Sequence, residues 1–383
     1  MNVRNILHKG VLLLMAAMLM NSCDMMKEDL SDCPTGLYVN FVYDYNIQRA
    51  DMFKDHVGGL TLYVFDESDR VVAQRTVSGS ELSKYGYNIH FSEQELAPDH
   101  QYRLLAVAMQ NDWATASSAT GYKPTKLGSG DNRTSLRVSL THQTGVPYGA
   151  VSNVAPLDTL WHTLTTLKAE AANLPAATRY RLSNDGTVST NGIDQVSVIS
   201  GEPTYATVSL IRDTKHLNIS LREIDTPEQV VDTDYEVFII DANTDVDYAN
   251  NLVMPGDSVV YRPYAQWTTV VQGTDKIAAD YSAHYDLMFN RLMYNTTTND
   301  NAVLCIRNKK TGEDVAMLNL PYILCTGRMA YEIYNYSPQE YLDREYDYRL
   351  ELFLKNGRWA QGAFISICVD VLSWARRIQY VEF

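Results

Sequence analysis

Basic side chains are in short supply. The chain of 383 residues carries 32 Lys and Arg against 46 Asp and Glu, a formal net charge of -14. Nucleic-acid binding needs a basic footprint to displace counterions from phosphate, so that partner class is excluded. Long apolar runs are equally scarce. The one unbroken run, Val11 to Met20, is ten residues long, whereas a membrane-spanning helix needs about 20. Catalytic signatures are missing: there is no GxSxG elbow, no HExxH, no GxxxxGKS/T loop and no GxGxxG turn. The eight His residues are scattered, and the abundant carboxylates give a glycosidase pair no location, because such pairs are set in three dimensions. The chain therefore reads as no enzyme, with no cofactor. Cysteine is sparse at five copies, with no CxxC pair and no neighbouring His to complete a zinc pattern. Cys33, Cys305, Cys325 and Cys368 read as buried thiols or as members of a disulfide, for which four cysteines allow three pairings.

What is present describes a folded, exported, strand-rich protein. Hydrophobic residues make up 45% and charged residues 20%, the balance of a chain with a buried core. Tyrosine, at 26 copies, favours strands and half-wet surfaces. Residues 1–22 read as a secretory signal, with Arg4 and Lys9 ahead of the Val11 to Met20 run. Ser22 then precedes Cys23, an order that looks like a bacterial lipobox, with cleavage before Cys23 and acylation (palmitate) of its thiol. Each buried CH₂ of an acyl chain contributes about 0.8 kcal/mol, so several chains on one Cys hold a protein firmly on a membrane. Residues 23–35 form a lipidated tether. Within it Lys27-Glu28-Asp29 resembles the surface-export signal of Bacteroidetes lipoproteins, and reads equally as a plain polar spacer.

From Gly36 onward the pattern has period two. Leu37, Val39, Phe41, Tyr43 and Tyr45 share one face. Leu60 to Phe65, the polar turn 66–70 and a return strand from Val71 make a hairpin. Leu104 to Met109 is apolar on both faces, and Leu136, Val138 and Leu140 alternate with polar residues. Residues 112–133 read as a long loop. Residues 157–175, with Leu157, Leu160, Leu164 and Leu167 at helical spacing, predict a peripheral helix. A polar stretch at 183–195 then places a boundary near residue 200. Beyond it Leu217, Ile219 and Leu221 alternate, Tyr235 to Ile240 is a strand, and Val303 to Ile306 and Val315 to Leu320 flank a hairpin turn. Tyr348, Leu350, Leu352 and Leu354 form one strand face, and Ile365 to Val371 the last. The expected fold class is all-β, with one β-sandwich over 36–200 and a second over 201–383.

Two features invite a ligand. Asp241, Asn243, Asp245 and Asp247 have the spacing of the first half of an EF-hand loop, but Val246 stands where the sharp turn needs Gly and Leu252 where a bidentate Glu is needed. The run reads as a polar loop at a strand end, and the expected metal set is none. Among the five Trp residues, Trp113 opens the long loop and, with Tyr122, is placed like an exposed sugar-stacking residue, whereas Trp359 and Trp374 sit beside strand signals.

Four stretches resemble the lipoprotein anchor and accessory subunits of Bacteroidales (type V) fimbriae. They are Cys33-Pro34 with GLYVNFVYDYN and LTLYVFDESDRVV; YEVFIIDANTDVDYANN with VVYRPYAQW; FNRLMYNTTTNDNAVLCIRNKKTGEDVAMLNLPYIL; and QEYLDREYDYRLELFL with the strand ending in Trp374. They follow the family's order and cover most of residues 23–383, with 157–200 matching least and reading as an insertion. The resemblance implies two transthyretin-like (Greek-key) β-sandwich domains in tandem and no catalysis. It implies a cell-surface protein, held on the outer membrane by lipid on Cys23 at the base of a fimbrium. Its partner is a shaft subunit joined by β-strand addition, in support of adhesion.

In that fibre class, polymerising subunits are cut after an N-terminal Arg. No Arg lies between Cys23 and the first strand, and nine residues follow Trp374, short for a donor strand unless Ile378 to Phe383 serves. Both features favour an anchor. A first strand that fills its own sheet is the structural mark expected of a subunit left uncut. The alternative is a surface glycan-binding lipoprotein of a polysaccharide-uptake system, which calls for exposed aromatic side chains on one face.

Overall fold

The structure, a computed structural model, describes residues 34–380 except 85, 112–120, 144–148, 151–155, 168–180, 183–187, 190–191, 225–229, 254–257, 275–278, 297–300, 329–335, 357, 360–364 and 372–373, with backbone alone from 358 onward. Cys23, the signal and the tether up to Cys33 lie outside the described residues, as does Trp113.

Strands dominate. In the first part of the chain they are β1 (Gly36–Val42), β2 (Gly59–Phe65), β3 (Val71–Ser78), β4 (Asn88–Phe91), β5 (Gln101–Met109), β6 (Tyr122–Pro124), β7 (Arg137–Leu140), β8 (Gly149–Ala150), β9 (Leu160–Leu167) and β10 (Pro203–Arg212). The second part supplies β11 (Lys215–Glu223), β12 (Tyr235–Asp241), β13 (Asp245–Asp247), β14 (Val259–Tyr261), β15 (Ala265–Val271), β16 (Asp280–Phe289), β17 (Val303–Asn308), β18 (Asp314–Asn319), β19 (Asp347–Lys355), β20 (Ile365–Val371) and β21 (Trp374–Tyr380). Short helices include α1 (Gly79–Lys84), α2 (Leu320–Cys325) and α3 (Pro338–Arg344). The chain is all-β with several sheets, as expected.

The hairpins form where turn chemistry places them. Asp66 Oδ1 accepts the amides of Ser68 (2.8 Å) and Arg70 (2.9 Å), which closes the β2–β3 turn. Gly312, at φ +72°, supplies the left-handed residue of the β17–β18 turn. β11 alternates buried and half-buried residues along its length, the period-two signal in its plainest form.

One sheet runs in the order β3-β2-β5-β9-β10-β1-β4. A second runs β15-β16-β11-β19-β20-β21, and it faces a third, β18-β17-β12-β14-β8. The first sheet wraps a core of Leu37, Val39, Phe41, Leu62, Val208 and Leu210. Leu217, Ile219, Tyr285, Leu287, Leu350 and Ile306 belong to a larger core between the second and third sheets. β2 is buried at every position because it lies between these cores: Leu60, Leu62 and Val64 point into the first, Tyr63 and Phe65 into the second.

The sheets do not divide at residue 200. β10, which follows it, hydrogen-bonds in the first sheet beside β1 and β9. β7 and β8, which precede it, pair with β13 and β14 of the second part. The passage between the sheets is at Asp213–Thr214, both fully buried. There Lys215, also buried, donates from Nζ to the carbonyls of Asp343 and Glu345, each at 2.9 Å. Asp213 accepts from Asn250 (2.7 Å) and pairs with His162 (2.9 Å).

Three expectations are corrected. The helix predicted over 157–175 is, over Leu160–Leu167, the strand β9. Thr163, Thr165 and Thr166 are β-branched and favour a strand, and the segment is claimed on both sides by β5 and β10. The Asp241–Asp247 run is not all loop, because Asp245–Asp247 is strand β13. Among the described residues no three His, Cys, Asp or Glu side chains converge to hold a metal. The 112–133 loop contains strand β6. Cys305 and Cys325 are both buried free thiols, which removes the pairing of one with the other.

Candidate functional site

β1 is the strand on which a fibre role turns. Its apolar residues Leu37, Val39 and Phe41 are buried, and its other face carries Tyr38 and Asn40. It pairs in parallel with β10 from Gly36↔Pro203 to Val42↔Ser209. On its other side it pairs antiparallel with β4, from Leu37↔Phe91 to Asn40↔Asn88. Both sides of the strand are thus occupied, and β1 fills its own sheet. Gly36 opens it at φ +84°, where a Cβ would strike the Phe91 carbonyl, so only glycine allows β4 this close. A row of rings locks the outer face: His90 stacks on Tyr38 with centroids 4.3 Å apart, and Tyr38 meets Tyr205 of β10 at 5.3 Å.

The two ends of this sheet, β3 and β4, meet across a groove. Arg75, Thr76 and Val77 of β3 line one side, Asn88, Ile89 and His90 of β4 the other, with Leu82 of α1 in the wall. The groove has a volume of about 650 Å³. Among the described strands, β3 pairs only with β2 and β4 only with β1, so each presents an unpaired backbone edge to it. Arg75 spans the seam. Its guanidinium lies 5.1 Å from the centre of the Phe91 ring and pairs with Glu95. Hydrogen bonding from the Ser92 amide, with Arg75 adding to it, lowers the Glu95 pKa below the usual carboxylate value.

Among the described strands, other edges are open as well. β15 is the outer strand of the second sheet and exposes Trp267, Val270 and Val271. β18 exposes Met317 at the edge of the third. At the opposite edge of the second sheet, β21 is paired along its length with β20, from Val371↔Trp374 to Ile365↔Tyr380.

Of the two predicted sugar-stacking residues, Trp113 lies outside the described residues. Tyr122 is a core residue at 1% exposure, and its hydroxyl contacts Asn290 and Thr214. Trp161 is buried against Tyr43. Among the described residues the exposed Tyr and Trp side chains are instead Tyr205, Trp267 and Tyr322. Sequence reasoning missed Trp267: Ala265, Trp267 and Val271 alternate as in a core-facing strand, and only the structure shows that no residue of 265–271 is fully buried.

The family model of the fimbrillin-A associated anchor proteins Mfa1 and Mfa2 matches residues 30–380. The chain belongs to this family. The ordered segments in the sequence pointed to the same group, and a fimbrial anchor or adhesin is a non-enzymatic role. Among solved structures, the chain resembles a candidate adhesin from Bacteroides thetaiotaomicron at 25% identity and a TM-score of 0.67, over 91% of this chain and 99% of that one. A candidate polysaccharide-binding protein from the same organism matches at 25% identity and a TM-score of 0.62, over 90% and 99% of the two chains. The fimbrial anchor protein Mfa2 from Porphyromonas gingivalis shares the fold at 16% identity and a TM-score of 0.53, over 90% of this chain and 99% of that one. A comparison with curated proteins found no match.

Proposed function

We propose that this family member is the anchor of a fimbrium, acylated at Cys23 on the outer membrane and exposed at the cell surface. It is built as two transthyretin-like Greek-key sandwiches that meet at Asp213–Thr214, with β6–β8 lent by the first part of the chain to the second. A single observation carries the reading: β1 lies between β10 and β4 in continuous register, so the position that a partner's strand would take is filled by the chain's own. A subunit so filled ends a fibre and does not propagate it.

A shaft subunit then needs another edge. The seam between β3 and β4 supplies two, facing one groove, and a strand laid there gains main-chain hydrogen bonds from both sides. Each such bond contributes about 0.5–1.5 kcal/mol net, so a short segment paired on two edges suffices for firm capture. Deleting the gene and examining the fibres tests the role. Shed or over-long fibres support it; firmly attached fibres of normal length contradict it.

A further inference from the structure

A cleft of about 650 Å³ lies on the outward face of the second sheet, away from the β3–β4 seam. Its floor is a grid set by strand register. One row is Asp286, Asn218 and Arg349; the next is Met288, His216 and Asp347. The alternate residues of the same strands, Leu217, Ile219, Tyr285 and Leu287, point into the core, so period two alone makes this face polar. Trp267, Tyr264 and Tyr346 form the aromatic part of the lining.

These side chains are held in place before any ligand arrives. Trp267 stacks on His284 at 5.2 Å between centroids and 16° between planes. His284 is pinned from both ring nitrogens, by Ser220 and Thr269 hydroxyls at 2.8 Å each. Asn218 donates to Asp286 at 2.6 Å, and His216 Nδ1 lies 2.6 Å from Asp347 Oδ1. Arg212 sits 4.2 Å over the Tyr346 ring. Such prior order removes much of the entropy cost of binding. Trp267 is nonetheless 39% exposed, so the ring remains open to a ligand.

The charges point to the ligand's chemistry. Asp286 and Asp347 are matched by Arg212 and Arg349 in the same lining, so the cleft offers no field of one sign to an ionic ligand. A close-packed protein surface would strip water from both carboxylates at a desolvation cost. A polyhydroxylated ligand replaces that water with its own hydroxyls and lays its C–H face on the indole. A few fixed polar groups beside aromatic rings are the lining that orients such a ligand.

We propose that this cleft binds a neutral saccharide, with Trp267 stacking on a sugar ring and Asn218, Asp286 and Asp347 hydrogen-bonding its hydroxyls. This does not rest on the anchor reading, and it gives the protein a glycan contact besides its fibre contact. The test is native electrophoresis of the full chain through gels containing starch, β-glucan, galactomannan, α-mannan or arabinoxylan, with heparin and polygalacturonate as anionic counterparts. At least one neutral polymer is expected to retard the protein. Trp267→Ala should weaken that binding tenfold or more, Trp267→Phe should restore part of it, and Tyr264→Ala should weaken it independently. Tyr205→Ala, on the other sheet, should leave it unchanged. Absence of retardation by every neutral polymer, retardation by the anionic polymers alone, or equal retardation of wild type and Trp267→Ala would overturn the proposal.

Discussion

Arg75 on β3 reaches over the ring of Phe91 on β4, 5.1 Å from guanidinium carbon to ring centre, and so bridges the two unpaired ends of the first sheet. With Arg75 partly exposed over a buried Phe91 ring, the cation–π contact is worth about 0.5–2 kcal/mol, and an exposed ion pair such as Arg75–Glu95 about 0–1 kcal/mol. The bridge is therefore weak enough for an incoming strand to displace. It closes the edges against unwanted pairing without sealing them.

If the seam receives the shaft subunit, a cysteine placed on it is trapped in the fibre. Val77→Cys is expected to form a disulfide-linked adduct when fibre-bearing cells display shaft subunits with cysteines introduced along their strands. Val271→Cys on β15 should not. Electrophoresis without reductant reads the result. Adducts through Val271→Cys alone would move the docking edge to the second sheet.

β1 depends on its buried face. Leu37 is fully buried against the first core. Leu37→Ala should destabilise the fold by about 2–5 kcal/mol, the range for a large-to-small change in a packed core. Urea unfolding measures it. A loss below 1 kcal/mol would mean that β1 is not packed as described.

The joint between the sheets should leave a signature in pH. Burial, opposed in part by Asp343, lowers the Lys215 pKa from 10.5 to about 7. Between those values the unfolded chain binds more protons at this site than the folded one. Stability from this group therefore rises as pH increases through about 7 towards 10.5. Lys215→Met removes the proton difference. From pH 6.5 to 8.5 the wild-type urea midpoint should gain on that of Lys215→Met, and a constant gap between them would refute the assignment.

Much of the fold is legible in the sequence because it is local. β11 and β19 show strict alternation, and the hairpins β2–β3 and β17–β18 announce themselves by turn residues. What escapes is set by distant pairing. Leu160, Leu164 and Leu167 have helical spacing, yet β5 and β10 draw the segment into a strand. The lending of β7 and β8 to the second part has no local mark, since their partners β13 and β14 lie about a hundred residues away in the chain. The candidate site divides the same way. The first strand is plain from Leu37, Val39 and Phe41, whereas its meeting with β10, the facing of β3 and β4, and the exposure of Trp267 beside His284 exist only after the sheets form.

The central claim is that Cys23 holds the fibre to the membrane through this chain. The direct measurement is the fraction of fimbriae retained on cells when Cys23→Ser replaces the native residue, with the variant's export verified by immunoblot. The expected result is loss of fibres to the medium while fibre assembly continues. Fibres that stay on the cells in wild-type number, with the exported chain unacylated, would contradict it.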